Sequence, residues 1–378
     1  MEHSKRHILV MSSWYPSRID PHVGNFVQRF AALLANDYHV SVIHTVAAKN
    51  CSTIKVSDTT IAGVRTVLIY YPEKQFKIGR WLQRRKALAT GLRAVEDVDL
   101  VFGHVLLPQG LQFIGAKNYY NCPLIVLEHG SYFREEKRKS FNRIQRTILK
   151  RTSQHIQQLL AVSPRLRADI TAIFPTTQID IVPNFIDTNL FHSQVKRTPS
   201  FTKFLHVSTL DEQTKNPGVL FEGFYNALQI NPTLHLTVIS DQATILWENW
   251  VKTKGIAAHV RFLGPCTWEE IANEMQQHDA LLAASRYESF GIVFAEAWST
   301  GLPVFTTSVG IATDLPDFLG RNIPQNDSAA LSQVLLSFAA KEYEFDSEKI
   351  SAYAQQYAAK EVLNQLHTIF NTQLSIHD

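Results

Sequence analysis

Cysteine and methionine are scarce, at three residues each in a chain of 378. Cys51, Cys122 and Cys266 form neither a metal-ligand spacing nor an even set for a disulfide framework, which predicts a reducing, cytoplasmic setting. Apolar runs are short: none reaches the length of a bilayer span. The N-terminal stretch MEHSKRHILVMSSWYPS offers only residues 8–11 as an apolar run, too few for the core of a secretory leader. Four signatures are missing as well. The dinucleotide fingerprint G-x-G-x-x-G, the P-loop G-x-x-x-x-G-K-[ST], the zinc-peptidase H-E-x-x-H and the hydrolase G-x-S-x-G do not occur, which argues against a dehydrogenase, an ATPase, a zinc peptidase and a lipase-type hydrolase.

What is present is an ordinary folded composition, 45% hydrophobic and 19% charged, in a chain too long for one core and comfortable for two. The formal charge of +3 hides an asymmetry: residues 1–189 carry 25 Lys+Arg against 14 Asp+Glu, and residues 190–378 carry 12 against 20. Much of the basic excess lies in KQFKIGRWLQRRK (74–86) and REEKRKSFNRIQRTILKR (134–151). Such runs are read either as solvated helix faces or as a surface that meets an anionic partner. Trp81, Leu82, Ile144, Ile148 and Leu149 lie among the cations, which suits a membrane bearing acidic lipids. Nucleic acid is not an expected partner, because its aromatic platforms and binding motifs are missing.

Short apolar runs alternate with helical patterns. Strands are expected at 7–11, 40–44, 67–70, 100–102, 124–127, 159–162 and 179–182, with a helix such as NFVQRFAALLAN (25–36) between the first two. The series restarts with strands at 204–207, 236–239, 260–262, 280–283 and 303–306, separated by helices at 217–230, 243–254, 267–277 and 293–299. Alternation of this kind makes parallel sheets with helices on both faces. The expected architecture is therefore α/β, with two doubly wound Rossmann-like domains at 1–188 and 189–350. A C-terminal helix at 351–378 is expected to pack back towards the first domain. Ligands of such sheets bind outside the carboxyl ends of the strands, so a cleft between the two domains is the expected site.

The stretch ASRYESFGIVFAEAWSTG (284–301) follows one of these strands and opens a helix near Gly291. The N–H groups of Phe290, Gly291 and Ile292 at that helix mouth suit a phosphate. Glu288 precedes the mouth, and Glu296 lies in the second turn on another azimuth. A nucleoside diphosphate sugar has hydroxyls on both sides of its phosphates, so one carboxylate can serve each end through charge-assisted hydrogen bonds. For a bare pair of glutamates, a helix cap and an ion pair are the simpler roles. Asn216 and Pro217 suit an N-cap and a first helical position, which puts Lys215 at a second helix mouth. His129 and His104 each end a strand; a lone histidine there is more often structural. Gly24 is either a loop hinge or a place of close backbone approach. Asp97 and Asp99 precede a strand instead of following one, which argues against a D-x-D metal site.

The whole run E-S-F-G-x-x-x-x-E-A-x-x-x-G-x-P-V (288–304) resembles the signature of glycosyltransferase family 4, retaining enzymes of the GT-B fold. Tyr15-Pro16 with Gly24-Asn25-Phe26-Val27-Gln28 looks like the family's N-terminal glycine loop, and Glu128-His129-Gly130-Ser131 like its histidine-glycine loop. Ala161-Val162-Ser163, Val182-Pro183-Asn184, and Val207-Ser208 with Lys215-Asn216-Pro217 are similar to the family's domain junction and its next loop. The resemblance implies a metal-independent hexosyl transfer from a UDP- or GDP-sugar, with no further cofactor, to a glycan or lipid-linked acceptor. It implies catalytic roles for His129, Glu288 and Lys215. It places Gly24, Ser208, Lys215, Phe290, Gly291, Ile292 and Glu296 on the donor, and Asn25 and His104 on the acceptor side. It also implies same-face attack, with the leaving phosphate helping to remove the acceptor proton. The basic, aromatic-flecked helical runs of the first domain point to a lipid-linked or envelope glycan and to a cytoplasmic chain at the inner face of the cell membrane.

Three positions depart from the pattern. Thr209 stands where the family often has arginine, with Arg286 and Arg165 as candidate substitutes. Gly310-Ile311 replaces Gly-Gly, and isoleucine tolerates positive φ poorly. Ser240-Asp241-Gln242 replaces a Gly-x-Gly. A nucleotide-sugar epimerase or a phosphorylase of related fold, and a non-catalytic nucleotide-sugar-binding subunit, are the alternatives.

Overall fold

The computed structural model describes residues 5–73, 75–193 and 200–377. The chain forms two compact units: Met1–Val162, Leu166–Val182 and Leu363–Asp378 make the first, and Ser163–Arg165 and Pro183–Val362 the second. The division at Val182/Pro183 lies a few residues ahead of the boundary expected after 188.

The first unit is built on eight strands: β1 (His7–Ser12), β2 (His39–Ala48), β3 (Lys55–Ile61), β4 (Val64–Pro72), β5 (Leu100–His104), β6 (Leu124–Glu128), β7 (Gln158–Ala161) and β8 (Ile179–Ile181). Their spatial order is β3-β4-β2-β1-β5-β6-β7-β8. Every residue of β1 is buried, as a strand flanked on both sides and covered on both faces must be. β3 falls outside the expected strands. It is an exposed edge strand, KVSDTTI, that pairs antiparallel with β4 and shows no apolar alternation for a sequence to reveal. Its connection is the dipeptide Ala62-Gly63, with φ of 50° and 76°, the two left-handed residues of a type I′ hairpin. Residues of the C-terminal helix (Ala359–His377) complete this unit: Phe370 packs on Phe102 with ring centroids 5.1 Å apart, and His367 bonds Tyr38 at 2.7 Å and Asp37 at 2.9 Å.

The second unit carries β9 (Lys203–Val207), β10 (His235–Ile239), β11 (Val260–Leu263), β12 (Ala280–Ala283), β13 (Val304–Thr307) and β14 (Gly320–Ile323), ordered β11-β10-β9-β12-β13-β14. All pairs are parallel. β14, a short edge strand reading GRNI, is again one that apolar pattern does not announce. Phe204, Phe221, Phe224, Leu331 and Phe338 anchor the core, with the helices Pro217–Ile230 and Ser328–Ala339 packed together over the sheet.

Strand order reverses between β1 and β5 in one sheet and between β9 and β12 in the other. Those reversals are where an open α/β sheet leaves a crevice beyond its carboxyl ends. Among the described residues no helix is long and apolar enough to cross a membrane.

Candidate active site

A cavity of about 360 Å³ sits over the carboxyl ends of β9, β10 and β12, walled in part by Ser208, Thr209, Lys215, Glu288, Gly291 and Glu296. Glu288 and Glu296, separated in sequence, therefore share one chamber. Lys215 Nζ donates to Glu288 Oε1 at 2.6 Å, and Ser285 Oγ donates to the same oxygen at 2.8 Å. The two side chains are 24% and 13% exposed, so the pair sits at the chamber edge with both ends partly open to water. Glu288 thus serves as an acceptor for Lys215 and does not cap the helix that follows. That helix is Ile292–Ser299, entered through Gly291 at φ +83°, where a Cβ would lie 2.6 Å from the Phe294 ring. Phe294 N–H returns to Gly291 O at 2.9 Å, and the first-turn amides of Ile292 and Val293 stand at the cavity wall. Phe290 is buried and outside the wall.

Several expected roles change. Ser208 lines the cavity, but its hydroxyl is committed: it lies 2.7 Å from His206 Nε2 and accepts from Leu210 N–H at 3.0 Å. Burial, reinforced by the Lys215 charge, lowers the His206 pKa to about 4, so the ring is neutral. With Nδ1–H donated to Leu282 O at 2.8 Å, Nε2 accepts the Ser208 proton. Asn216 is the residue before the helix, yet it sits in the left-handed region and its amide bonds Asn326 at 3.2 Å instead of capping. Arg286 does not replace the missing arginine: Glu212 holds its guanidinium through a carboxylate oxygen at 3.3 Å and a carbonyl, and Asn326 holds Nε at 3.2 Å. Arg165 lies 6.0 Å from the Tyr287 ring centroid. Lys215 is the only cation among the described residues of the wall.

The Gly310-Ile311 departure costs nothing, because the positive φ of 53° falls on Gly310, and Ile311 donates its N–H to Phe290 O at 2.9 Å. A Cβ on Gly310 would collide with that same carbonyl. Gly310→Ala is therefore expected to lower stability by about 2 kcal/mol and to displace the Glu288 loop, seen as a melting temperature lower by roughly 4–8 °C. Where a Gly-x-Gly was expected after β10, Ser240 Oγ accepts from Gln242 N–H at 3.1 Å and shapes the turn. Asp241 and Trp268 also line the cavity and were not anticipated. The signal for Trp268 was available: Thr267 and Glu270 form a capping box that starts a helix just after β11.

In the first unit, Gly24 takes φ +75°, and a Cβ there would strike the Trp14–Tyr15 backbone. The glycine answers to its own chain, as the residue that starts the helix Asn25–Leu34. Asn25 is exposed at that helix start. His104 ends β5 fully buried, with burial and His129 driving its pKa well down, so direct contact with an acceptor gives way to support of His129. His104 Nδ1 and His129 Nε2 share a hydrogen bond of 3.0 Å, and the Phe26 ring lies 4.4 Å from that of His129.

The residue that organises this corner is Glu128, which sequence reasoning saw only as part of a motif. Its carboxylate is fully buried. Oε1 accepts from the amides of His129 at 2.8 Å and Gly130 at 2.7 Å; Oε2 accepts from Leu106 N–H at 2.9 Å and Tyr132 O–H at 2.5 Å. Burial pushes its pKa up, and these four donors pull it back. They tie the loop after β5 to the loop after β6, next to Val105, a β-branched residue held at φ +61°.

Two units, each a doubly wound sheet with a strand-order reversal and loops gathered at the carboxyl ends of its strands, are the α/β architecture expected from the sequence. Residues 23–190 match the family model Glycosyltransferase Family 4, and residues 202–341 match the model Glycosyl transferases group 1. The chain belongs to the family 4 glycosyltransferases. Over 119 residues it is 33% identical to the D-inositol 3-phosphate glycosyltransferase of Corynebacterium diphtheriae, a match that spans 30% of this chain and 28% of that relative. Over 332 residues it is 22% identical to the glycogen synthase of Mycobacterium tuberculosis, spanning 80% and 78%. Among solved structures, Anabaena HepE in complex with UDP and glucose superposes with a TM-score of 0.69 at 15% identity, covering 97% of this chain and 100% of that one.

Proposed function

We propose that this chain moves a hexosyl group, with retention, from a UDP- or GDP-sugar to an acceptor hydroxyl of a polysaccharide, lipopolysaccharide or glycolipid at the cytoplasmic side of a membrane. The observation that carries the reading is the shared chamber of Lys215, the Gly291 helix mouth, Glu288 and Glu296. The ammonium and the first-turn amides offset charge on the departing diphosphate without a metal ion, in the manner of electrostatic catalysis. Glu288 and Glu296 accept hydroxyl hydrogen bonds from the two ends of the donor. The bond from the anomeric carbon to phosphate breaks, its electron pair going to the phosphate oxygen. The acceptor oxygen bonds the same face, and its proton passes to the leaving phosphate. His129, braced by His104 and Glu128, is assigned the sugar or the acceptor hydroxyl on the strength of the family resemblance. The UDP and glucose bound to HepE support a nucleotide-sugar donor.

A second reading, a donor-binding subunit without turnover, draws on Lys215 being the only cation among the described wall residues. A thermal-shift panel of nucleoside diphosphates tests the first part of both. The matching diphosphate at a hundredfold over its Kd should raise the melting temperature by about 5–10 °C. A panel in which neither UDP nor GDP shifts it contradicts the donor assignment, and a shift without transfer to any acceptor extract selects the second reading.

A further inference from the structure

We propose that the helices Lys77–Ala94 and Arg143–Ser153 of the first unit form a docking face for an anionic phospholipid bilayer. The first helix contains six Lys and Arg, the second four, and neither contains Asp or Glu. A merely solvated cationic helix would turn polar residues outward. Here Ile78, Trp81 and Leu82 are exposed among Arg80, Arg85 and Lys86, with Ile78 75% exposed and Trp81 50% exposed. Phe76 at the helix entrance and Ile144 on the neighbouring helix are exposed as well.

Two cavities flank the helix Arg143–Ser153. On one side a groove of about 460 Å³ is walled by Trp81, Leu88, Leu111, Ile114 and Ile148, with Arg84 and Arg85 beside them. The Arg85 guanidinium stands 4.7 Å from the Trp81 ring centroid. On the other side a cavity of about 520 Å³ sets Arg138, Lys139, Arg146 and Lys150 around Phe141 and Phe174, with no carboxylate in its wall. Lys139 pairs with Glu135 at 2.7 Å, but both are well exposed, so water and salt compete with that contact. Cations for head-group phosphates, interleaved with aliphatic and aromatic side chains at the depth of the acyl boundary, are what an anionic interface selects. A second copy of this chain would present the same net positive charge to itself and be repelled.

The test is sedimentation of the full chain with sucrose-loaded vesicles, either phosphatidylcholine alone or equal parts phosphatidylcholine and phosphatidylglycerol. Binding is expected only to the anionic vesicles and is expected to weaken with salt. Since each cation near such a surface raises partitioning roughly fivefold, Arg84→Glu with Arg85→Glu should lower it by roughly 25-fold or more. Trp81→Ala should remove most of the fluorescence quenching by brominated lipid. Lys252→Glu with Lys254→Glu, on the other unit, should leave binding unchanged. Equal binding to neutral vesicles, no binding at all, an unaffected Arg84/Arg85 double variant, or an equal loss in the Lys252/Lys254 variant would each overturn the proposal. The nucleotide thermal shift of the Arg84/Arg85 variant should match the wild type, so failure here is separable from failure of the transferase reading.

Discussion

Glu288→Ala should lose transfer by roughly 10²–10³-fold, the range seen when a preorganised electrostatic contact is removed. Its melting temperature should stay close to that of the wild type. The asymmetry follows from position. Glu288 Oε1 takes Lys215 Nζ and Ser285 Oγ at the edge of a chamber, with both ends of the ion pair partly open to water. A pair of that kind contributes about 1 kcal/mol or less to folding. In the proposed reaction it does more: there Glu288 positions Lys215 and offers its carboxylate to the donor. Lys215→Ala should lose a similar factor. The double variant should be little worse than either single one, because the two residues act as a unit. A Glu288→Ala enzyme with wild-type kcat/KM would remove the glutamate from the mechanism.

Glu128→Gln is expected to have the largest effect on the fold. All four neighbours of this carboxylate are donors, so an amide NH2 in place of either oxygen confronts two of them with a third. Leaving two buried donors unsatisfied costs about 3 kcal/mol, which in a unit of this size lowers the melting temperature by about 6–12 °C. The change should be local before it is global. Hydrogen exchange of the Leu106, His129 and Gly130 amides should accelerate, and transfer should fall with the loosened His129 loop. An unchanged melting temperature and unchanged exchange at those amides would show that the carboxylate does not hold the two loops together.

Why some of this could be read from the sequence and some could not comes down to range. The 288–304 segment is a strand-end, turn and helix within one stretch of chain, and each residue there acts through local geometry, so its pattern survives in the sequence. The central strands were legible for the same reason, since burial on both faces leaves an unbroken apolar run such as HILVMS. β3 and β14 were not, because an edge strand is defined by its neighbour and not by its own apolar pattern.

Partnerships across the chain were the larger gap. Lys215 finds Glu288 across 73 positions, and nothing local to either names the other. Ser208 reads as a free hydroxyl until His206, two residues earlier, is seen to have turned neutral through burial. Glu128 reads as one letter of a motif until four donors converge on it. Gly310-Ile311 was misjudged in the opposite direction: the left-handed residue is the glycine, and the isoleucine is asked for nothing unusual.

The central claim is that the chamber over β9 and β12 takes the diphosphate of an activated sugar. Crystals grown with the nucleoside diphosphate that gives the largest thermal shift test it most directly. The account predicts phosphate density within hydrogen-bond reach of Lys215 Nζ and of the Ile292 and Val293 amides, with Glu296 turned to a hydroxyl. Density for the nucleotide anywhere else, with this chamber left to solvent, would contradict it.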